Sequence, residues 1–398
     1  MNRSGTVVSA FCLAFGAGVI AVGLPAPAGA ELMIVANDQK VSWDDAGKPV
    51  FSAPGDDTVS IVEIGGDPEA PKIIANLPLA NSIFGPPTNL VITPDETLAL
   101  VANSMNWVQD GDAWKPEPAT TIHVIDLEAS PPAKIGEVEV GKQPSGMAIN
   151  QAGDLALVAN RADNSVSVLA IQGKEVTNVG TVDLGDSVAA VAFTPDGKRA
   201  LAAKFPAHKI ALLNVDGQSV TYDGYDMPVG LWPYNLGVTP DGTLALTADN
   251  GNSGGSDGHV DTVSVIDLEA EPPRVIDRVV VGDAPEGFAI SPNGDIAVAV
   301  MLKGSGAVPK DAWYANEAGS VVVLKIDGKE VTKAGEVEVG RLPEGAVFSP
   351  DGGYLYVGNY LDNDISILKV DGTEVTNTGK TLELPGQPAS MAGGGGGS

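Results

Sequence analysis

The sequence predicts an all-β protein in which seven four-stranded antiparallel sheets surround an axis as the blades of a seven-bladed β-propeller. Three observations lead to this prediction. One stretch near the carboxyl end has the pattern of a complete four-stranded meander, and the opening of that stretch recurs along the chain. The two chain ends carry complementary fragments of the same unit.

The clearest copy of the unit begins at Leu342. Turn residues separate three short runs rich in β-forming residues, and an Asp-Gly pair then signals a hairpin into a fourth run. Glycine suits these turns because it adopts positive φ without steric cost. The predicted strands are Glu344 to Ser349, Tyr354 to Gly358, Ile365 to Val370 and a last strand after Glu374.

The opening of this unit is visible six times. Copies start at Pro87, Pro144, Val188, Pro233, Pro285 and Pro343, so successive starts are 57, 44, 45, 52 and 58 residues apart. Four strands repeated about every 45 residues are typical of propeller blades. A single blade cannot bury both of its faces, so the blades must stack on one another.

The chain ends supply a seventh copy. Gln387 to Ala392 repeats an opening strand with only glycines and a serine behind it, and Ile34 to Asn37 repeats a second strand without an opening before it. We therefore expect the last strand to become the innermost strand of the amino-terminal blade. That pairing would close the ring and remove the open sheet edges.

The repeats resemble a known family. Second strands such as Leu157-Val158-Ala159-Asn160 and Tyr356-Val357-Gly358-Asn359 are similar to those of the YVTN-repeat propellers, which overlap the lactonase-type seven-bladed family. The resemblance covers nearly all of residues 31–392 and implies the fold specifically. It implies function only weakly, since propellers host many unrelated activities.

The segments outside the repeats predict export. Residues 1–30 have the features of a secretory signal peptide: Arg3, a largely apolar run from Val7 to Leu24, and a small-residue cleavage site at Ala28-Gly29-Ala30. We expect a periplasmic or secreted protein with a propeller over residues 31–392 and a flexible Gly-rich tail over residues 393–398. No stretch after residue 30 is apolar enough over a sufficient length to span a membrane.

The charge balance limits the partners. The chain has 23 Lys plus Arg against 51 Asp plus Glu, a formal net charge of −28. This balance opposes binding to nucleic acid or to anionic membranes. It fits solubility, a cationic partner or bound metal ions. We expect a monomer that requires no cofactor, since no cluster of His and Cys indicates a zinc, copper or haem centre.

Four connections after second strands are long: Asp38 to Asp56, Ser104 to Thr120, Asn250 to Asp261 and Leu302 to Gly319. They fall on the face that also carries the connections into first strands, and long loops on one face of a rigid scaffold often bind ligands. Aromatic residues concentrate there, either as a recognition surface or as local packing for each loop. The candidate ligand-binding residues are Trp43, Trp107, Trp114, Trp232, Tyr234, Trp313, Tyr314 and Tyr360.

Polar residues of the same face offer a candidate catalytic site near the channel. A lactone hydrolase needs a carboxylate or metal-bound water as base and a cation for the developing oxyanion. Glu286 and Glu344 are the candidate carboxylates, and Arg161, Lys204 and Arg341 are the candidate cations. The alternative interpretation is that these side chains cap strand ends and bind channel water, since no catalytic spacing distinguishes them.

One loop could bind calcium. Asp249, Asn250, Asn252, Asp257 and Asp261 supply oxygen ligands on a glycine-rich segment, which is the chemistry that calcium prefers. The spacing does not fit an EF-hand, because Gly251 occupies the third ligand position. An ordinary polar loop is the alternative interpretation.

Two functions from different classes remain. The first is an exported binding module that uses the Trp-rich face for an unknown protein or small-molecule ligand. The second is a lactonase-like hydrolase of lactones or related esters at the channel mouth, with or without a metal ion. The aromatic face favours the binding module, which is the function that we predict from the sequence.

Overall fold

The computed structural model describes Met1 and residues 31–394. Seven four-stranded antiparallel sheets surround one axis as the blades of a β-propeller, which confirms the predicted fold class. The described residues contain no α-helix and only three single-turn 3-10 helices, Arg161–Asp163, Phe205–Ala207 and Tyr360–Asp362. The predicted signal peptide, apart from Met1, and the last four residues of the predicted tail lie outside the described residues.

The strands are numbered in chain order. They are β1 Leu32–Asp38, β2 Val41–Trp43, β3 Pro49–Phe51, β4 Thr58–Glu63, β5 Lys72–Leu77, β6 Leu90–Ile92, β7 Leu98–Asp110, β8 Ala113–Asp126, β9 Ala133–Glu139, β10 Pro144–Ile149, β11 Leu155–Asn160, β12 Ser165–Gln172, β13 Glu175–Asp183, β14 Val188–Phe193, β15 Arg199–Lys204, β16 Lys209–Asp216, β17 Ser219–Pro228, β18 Pro233–Val238, β19 Leu244–Asp249, β20 Asp261–Asp267, β21 Arg274–Gly282, β22 Pro285–Ile290, β23 Ile296–Met301, β24 Ser320–Asp327, β25 Glu330–Glu338, β26 Pro343–Phe348, β27 Tyr354–Asn359, β28 Asp364–Asp371, β29 Glu374–Glu383 and β30 Gln387–Gly393.

Ring closure occurs as predicted. Blade 1 has the order β30, β1, β4, β5 from the axis outward, and blades 2 to 7 each consist of four consecutive strands beginning with β6, β10, β14, β18, β22 and β26. In blade 1, Val35 lies opposite Met391 and Ile34 lies opposite Ala392. The chain ends therefore share one sheet, and neither β1 nor β30 leaves an unpaired inner edge.

The second strand of each blade is buried on both sides by neighbouring blades. This explains why β11 is a continuous apolar run rather than an alternating one, and why all six of its residues are buried. Outer strands such as β13 are largely exposed. The core is thus a series of layers between blades. In one layer Val298 and Val300 of blade 6 pack with Leu355 and Val357 of blade 7. Full burial of one such side chain stabilises the fold by about 1.5–3 kcal/mol.

Polar residues at the ends of second strands form hydrogen bonds to the third strand of the same blade. Asn37, Asn160 and Asn359 each donate a side-chain hydrogen bond to a serine of the third strand, at 2.8–2.9 Å. In blade 5, Ser264 instead donates to Asp249. These amides therefore have a structural partner on the adjacent strand.

Two of the predicted long loops contain regular structure. The segment Ser104 to Thr120 is not a loop, because β7 and β8 continue as a hairpin out to a turn at Gly111, where φ is +63°. Asp110-Gly111 is a hairpin signal between residues that favour strands. The segment Asp38 to Asp56 contains the small sheet formed by β2 and β3.

We call the face that carries the connections after second strands the front face. The opposite face carries the short turns after innermost strands, and we call it the turn face. In these turns the hydroxyl of Thr194, Thr239 or Ser349 donates to an aspartate two residues later, at 2.6 Å. A proline lies between the two partners.

Closure predicts a sharp difference between two truncations. Deletion of residues 387–392 removes the innermost strand of blade 1 and exposes the inner edge of β1. We expect the loss of most of the unfolding free energy, which is typically ~5–15 kcal/mol for a domain. Deletion of residues 395–398 is the matched control, and we expect an unchanged melting temperature. Thermal unfolding followed by circular dichroism measures both, and equal melting temperatures would contradict the closure account.

Candidate functional site

The second residue of each repeated opening lies at the front end of the axis. We call this set the axial ring, and its members are Thr88, Ser145, Ala189, Tyr234, Glu286, Glu344 and Ala389. The repeat places them at equivalent positions of seven neighbouring inner strands or their first turns. The axial ring therefore combines two carboxyl groups, one phenol, two hydroxyls and two methyl groups around one space.

Glu286 and Glu344 are the acidic members, and they come from adjacent blades 6 and 7. Glu286 is only 5 % exposed to solvent, and Glu344 only 2 %. The inner strands of these blades are in close contact at Gly287, where an added Cβ would lie 1.9 Å from the backbone oxygen of Glu344. Only glycine allows that approach, so the two carboxyl groups share one buried region.

Burial changes the ionisation of this pair. It raises the pKa of Glu286 to about 8, while the positive charge of Arg161 opposes the rise. It also raises the pKa of Glu344 well above its ordinary value, and the charge of Glu286 raises it further. Two carboxylates that share a low-dielectric site cannot both ionise easily, so the pair retains at least one proton at neutral pH.

Arg161 and Tyr234 complete the polar group. Arg161 follows β11 in blade 3, and its guanidinium donates a hydrogen bond of 3.1 Å to the hydroxyl of Tyr234 on β18. The guanidinium also lies 4.6 Å from the ring centre of Phe205. Burial raises the pKa of Tyr234 to about 12, so this phenol stays protonated and its hydrogen remains free to be donated.

Several buried atoms in this region lack a protein partner. Within the described residues, Oε2 of Glu344, Oγ of Ser145, Oγ1 of Thr88 and Nδ2 of Asn235 make no hydrogen bond to protein. Buried polar groups are normally satisfied, and those without a protein partner require water or a ligand. Three of these four atoms belong to the axial ring and the fourth is next to it, so this region offers polar groups to water or to a ligand.

The front face is covered above blades 6, 7 and 1. Tyr360 donates a hydrogen bond of 3.0 Å to the backbone oxygen of Val41, and its ring lies edge-on to Trp43 at 5.8 Å. Ala46 forms a β-bridge with Pro309, which joins the long loops of blades 1 and 6. We call these two loops, residues 39–56 and 302–319, the front cover. It shields the glutamate pair from solvent on that side.

The other two predicted cations do not join the axial ring. Lys204 is buried near the blade edge, where it pairs with Asp186 and Asp226 at 3.1 Å each. Arg341 is exposed and pairs with Asp362 at 2.7 Å. Of the five residues predicted as catalytic, the structure brings together Glu286, Glu344 and Arg161.

The predicted aromatic binding residues are distributed over four places. Trp43 and Tyr360 pack in and below the front cover, and Trp107 packs nearby against Phe51 at 4.9 Å. Trp232 and Tyr234 pack with Phe205 at 5.6 and 6.0 Å. Trp114 lies near the tip of the β7–β8 hairpin, opposite Gln109. Trp313 is 79 % exposed and contacts Tyr314.

The predicted calcium loop is occupied by internal hydrogen bonds. Asp249 accepts from the hydroxyls of Thr247, Thr262 and Ser264 at 2.7–2.9 Å. Asn250 accepts from the amide of Gly254, and Asp261 accepts from that of Ala284. Asn252 and Asp257 lie in the same loop, where Asp257 contacts His259. Within residues 31–394, no group of three or more His, Cys, Asp or Glu side chains is arranged to hold a metal ion. Calcium binding by this loop stays a prediction.

The ionisation of Asp261 is nevertheless perturbed. Burial raises its pKa to about 7, and the charges of Asp257, Asp283 and Asp249 raise it further. These repulsions come from three other aspartates in and beside the loop, and the charge of Arg278 acts on one of them, Asp249.

Comparison with known proteins gives the fold. No protein-family model matches the chain, and no curated protein matches it in sequence. The structure resembles a candidate 6-phosphogluconolactonase from Bacteroides fragilis, with a TM-score of 0.67 at 18% identity over 93% of this chain and 99% of that one. It also resembles the periplasmic gluconolactonase PpgL of Pseudomonas aeruginosa, with a TM-score of 0.66 at 18% identity over 91% of this chain and 98% of that one.

A third similar structure is hydrazine synthase from Kuenenia stuttgartiensis, with a TM-score of 0.57 at 20% identity over 73% of this chain and 79% of that one. The chain thus shares the seven-bladed fold of lactonase-like propellers. At these identities the likeness establishes the fold alone. The described residues contain no helix that is both long and apolar enough to cross a membrane.

Sequence reasoning missed part of the axial ring. Ser145 and Thr88 were not predicted, and Tyr234 was grouped with surface aromatics. An alignment of the seven openings on their first residue would have shown that all these residues occupy the same position. The repeat itself was therefore the available signal.

The glutamate pair predicts how stability depends on pH. An unfolded glutamate has a pKa of about 4.3, so between that value and about 8 unfolding releases protons from the pair. The free energy of unfolding should fall as pH rises through this range, by up to about 1.4 kcal/mol per pH unit for each group.

Glu286→Gln removes one of these ionisations. We expect the melting temperature of the variant to fall less between pH 5 and pH 8 than that of the unmodified protein. Glu383→Gln, a change at an exposed position on β29, is the matched control and should follow the unmodified protein. Parallel pH profiles for all three proteins would contradict the raised pKa of the pair.

Proposed function

We propose that the axial site hydrolyses a lactone or a related ester, and that the glutamate pair supplies both the base and the acid. The observation that carries this proposal is the burial of Glu286 and Glu344 in one region with Arg161 and Tyr234 beside them. Two carboxyl groups that share a proton can remove a proton from water and protonate a departing oxygen in one site.

The electrostatic surroundings suggest separate roles. Arg161 lowers the pKa of Glu286 relative to what burial alone would produce, so Glu286 ionises first and acts as the base. It takes a proton from a water molecule that attacks the carbonyl carbon. Glu344 remains protonated because its pKa is raised well above the ordinary value by burial and by the charge of Glu286. It donates its proton to the ring oxygen as the carbon–oxygen bond breaks.

Tyr234 and Arg161 suit the carbonyl side of the reaction. The phenol accepts its hydrogen bond from Arg161 and can donate its own hydrogen to the developing oxyanion. Preorganised donors of this kind contribute strongly in a site from which water is excluded. The product is the open hydroxy acid. The pair holds one proton throughout, and transfer of that proton from Glu286 to Glu344 after product release restores the starting state.

The charge of the chain favours an unphosphorylated substrate. Arg161 is the only Lys or Arg whose charge acts on the axial glutamates among the described residues, and the net charge of the chain is −28. A phosphate group would need several cations or backbone donors. We further propose that the protein acts in the periplasm or outside the cell, as the predicted signal peptide suggests, and that it belongs with the YVTN-repeat and lactonase-type propellers.

A binding module without catalysis is the second candidate. The exposed indole of Trp313 beside Tyr314 favours it, since exposed aromatic pairs often contribute to protein interfaces. The ligand in that case is a protein or a small molecule held at the front face. This candidate predicts binding without turnover.

Hydrolysis by residues 31–398 in a pH-stat tests the first proposal. We expect turnover of simple lactones, with kcat/KM rising with pH as the pair loses its first proton near pH 8. Glu286→Gln and Glu344→Gln should each reduce kcat by roughly 10²–10⁴-fold without unfolding the protein. Glu383→Gln should leave the rate unchanged.

The same assay with calcium and with a chelator separates the remaining possibilities. Rates that change with neither calcium nor chelator support the carboxyl mechanism. Loss of rate with chelator would instead assign the catalytic role to a metal ion. Absence of turnover across lactones and simple esters would reject the hydrolase and leave the binding module.

A further inference from the structure

The axial channel is polar at one end and apolar at the other. The sixth residue of each repeated opening is apolar in six copies, namely Ile92, Ile149, Phe193, Val238, Ile290 and Phe348, and is Gly393 in the seventh. These residues line the channel between the axial ring and the turn face. We call them the apolar ring. One position of the repeat thus supplies reactive groups, and another supplies a hydrophobic wall.

The apolar ring borders a cavity of ≈ 290 Å³ that opens at the turn face. Its rim consists of prolines from the turns that follow the inner strands, namely Pro94, Pro195, Pro240, Pro292 and Pro350. Most of these prolines are solvent-exposed or half-buried. Proline turns are rigid, so the mouth is held open by the backbone of the scaffold rather than by mobile loops.

A narrower segment of ≈ 50 Å³ leads from this cavity toward the axial ring. Ala148, Ile149 and Val347 line both segments, which makes them continuous. The far end of the narrow segment reaches Oγ1 of Thr88 and Nδ2 of Asn235, which make no hydrogen bond to protein. Met391 also lines this segment, and its flexible side chain can adapt to an entering group.

The front cover leaves the turn face as the wider entrance. The loops of blades 1 and 6 close over the glutamate pair, and an added Cβ at Gly47 would lie 2.6 Å from the backbone of Val308. At this point the backbones of the two loops are in direct contact. A substrate that approaches the pair from the turn face must therefore pass the apolar ring.

We propose that the channel takes a lactone or ester bearing an unbranched alkyl chain, with its head group toward Glu286 and Glu344 and its chain within the apolar ring. The chemical step rests on the proposed hydrolysis, whereas the binding of the chain does not. No charged side chain lines either channel segment among the described residues. A phosphorylated or polyhydroxylated ring would lose its hydration there without gaining equivalent partners.

A chain-length series tests this assignment. The probes are γ-butyrolactone and γ-lactones with butyl and octyl side chains, and the measurements are calorimetric affinity and pH-stat hydrolysis. We expect affinity and kcat/KM to rise about two- to fourfold for each added methylene, the effect of burying it in an apolar cavity. Equal affinity across the series would overturn the proposal.

Val238→Asp places a charge on the channel wall at a half-buried position. We expect the ratio of octyl-lactone to butyrolactone affinity to fall at least tenfold. Val179→Asp, at a position on β13 that is 45% exposed, is the matched control and should keep the ratio of the unmodified protein. If Val238→Asp fails to fold, Ile149→Phe is the second variant. It narrows the channel within the apolar ring, so the preferred alkyl chain should become shorter.

The two measurements separate this inference from the proposed function. Affinity that rises with chain length without turnover supports the alkyl channel and rejects the hydrolase. Turnover that is equal for all three lactones supports the hydrolase and overturns the alkyl channel. Absence of both binding and turnover overturns both proposals.

Discussion

Seven inner strands meet around one axis, and the space between them is the constraint on which the rest of the structure depends. Where the third residue of the opening is glycine, it faces the next inner strand and a larger side chain would have almost no room. An added Cβ at Gly146 would lie 2.7 Å from the Cα atom of Ala190, and one at Gly345 would lie 2.9 Å from the Cβ atom of Met391. Gly, Ala or Ser occupies this position in five of the seven openings, and Asn89 and Asn235 occupy it in the other two. The small residues let neighbouring inner strands approach closely, while the second and sixth positions carry more varied side chains.

This constraint explains why two rings of different chemistry coexist in one channel. The second positions lie under the front cover, and there the protein tolerates two carboxyl groups whose burial opposes their ionisation. The sixth positions lie nearer the turn face and carry apolar side chains in six openings and glycine in the seventh. Buried acids lower stability at neutral and higher pH, and the closed ring with its extensive core between blades can accommodate that cost.

The sequence could predict the fold because every blade repeats the same physical pattern. Second strands such as β11 are apolar throughout, since neighbouring blades cover both of their faces, and the matching fragments at the two ends identify β30 as the closing strand. The outward extension of β7 and β8 was missed because Pro116 and Pro118 are unusual in strands. At the outer end of a hairpin those prolines cost few ladder hydrogen bonds.

The sequence predicted less of the candidate site than of the fold. Arg161, Tyr234, Glu286 and Glu344 come from four blades, so no local spacing connects them. Charge alone also selected Lys204 and Arg341, whereas the structure pairs Lys204 with Asp186 and Asp226 and pairs Arg341 with Asp362. Burial and the front cover depend on how long loops from separate blades pack against each other, as Ala46 does against Pro309.

Carbon-13 NMR of protein labelled at the glutamate side-chain carboxyl groups tests the central claim most directly. Spectra recorded as a function of pH, with Glu286→Gln and Glu344→Gln to assign the signals, report the protonation of the buried pair. The account predicts one glutamate that titrates near pH 8, a second whose pKa is raised well above the ordinary value, and a lower pKa for Glu344 once the charge of Glu286 is removed. Titration of every glutamate below pH 6 would contradict a shared, protonated pair at the axis.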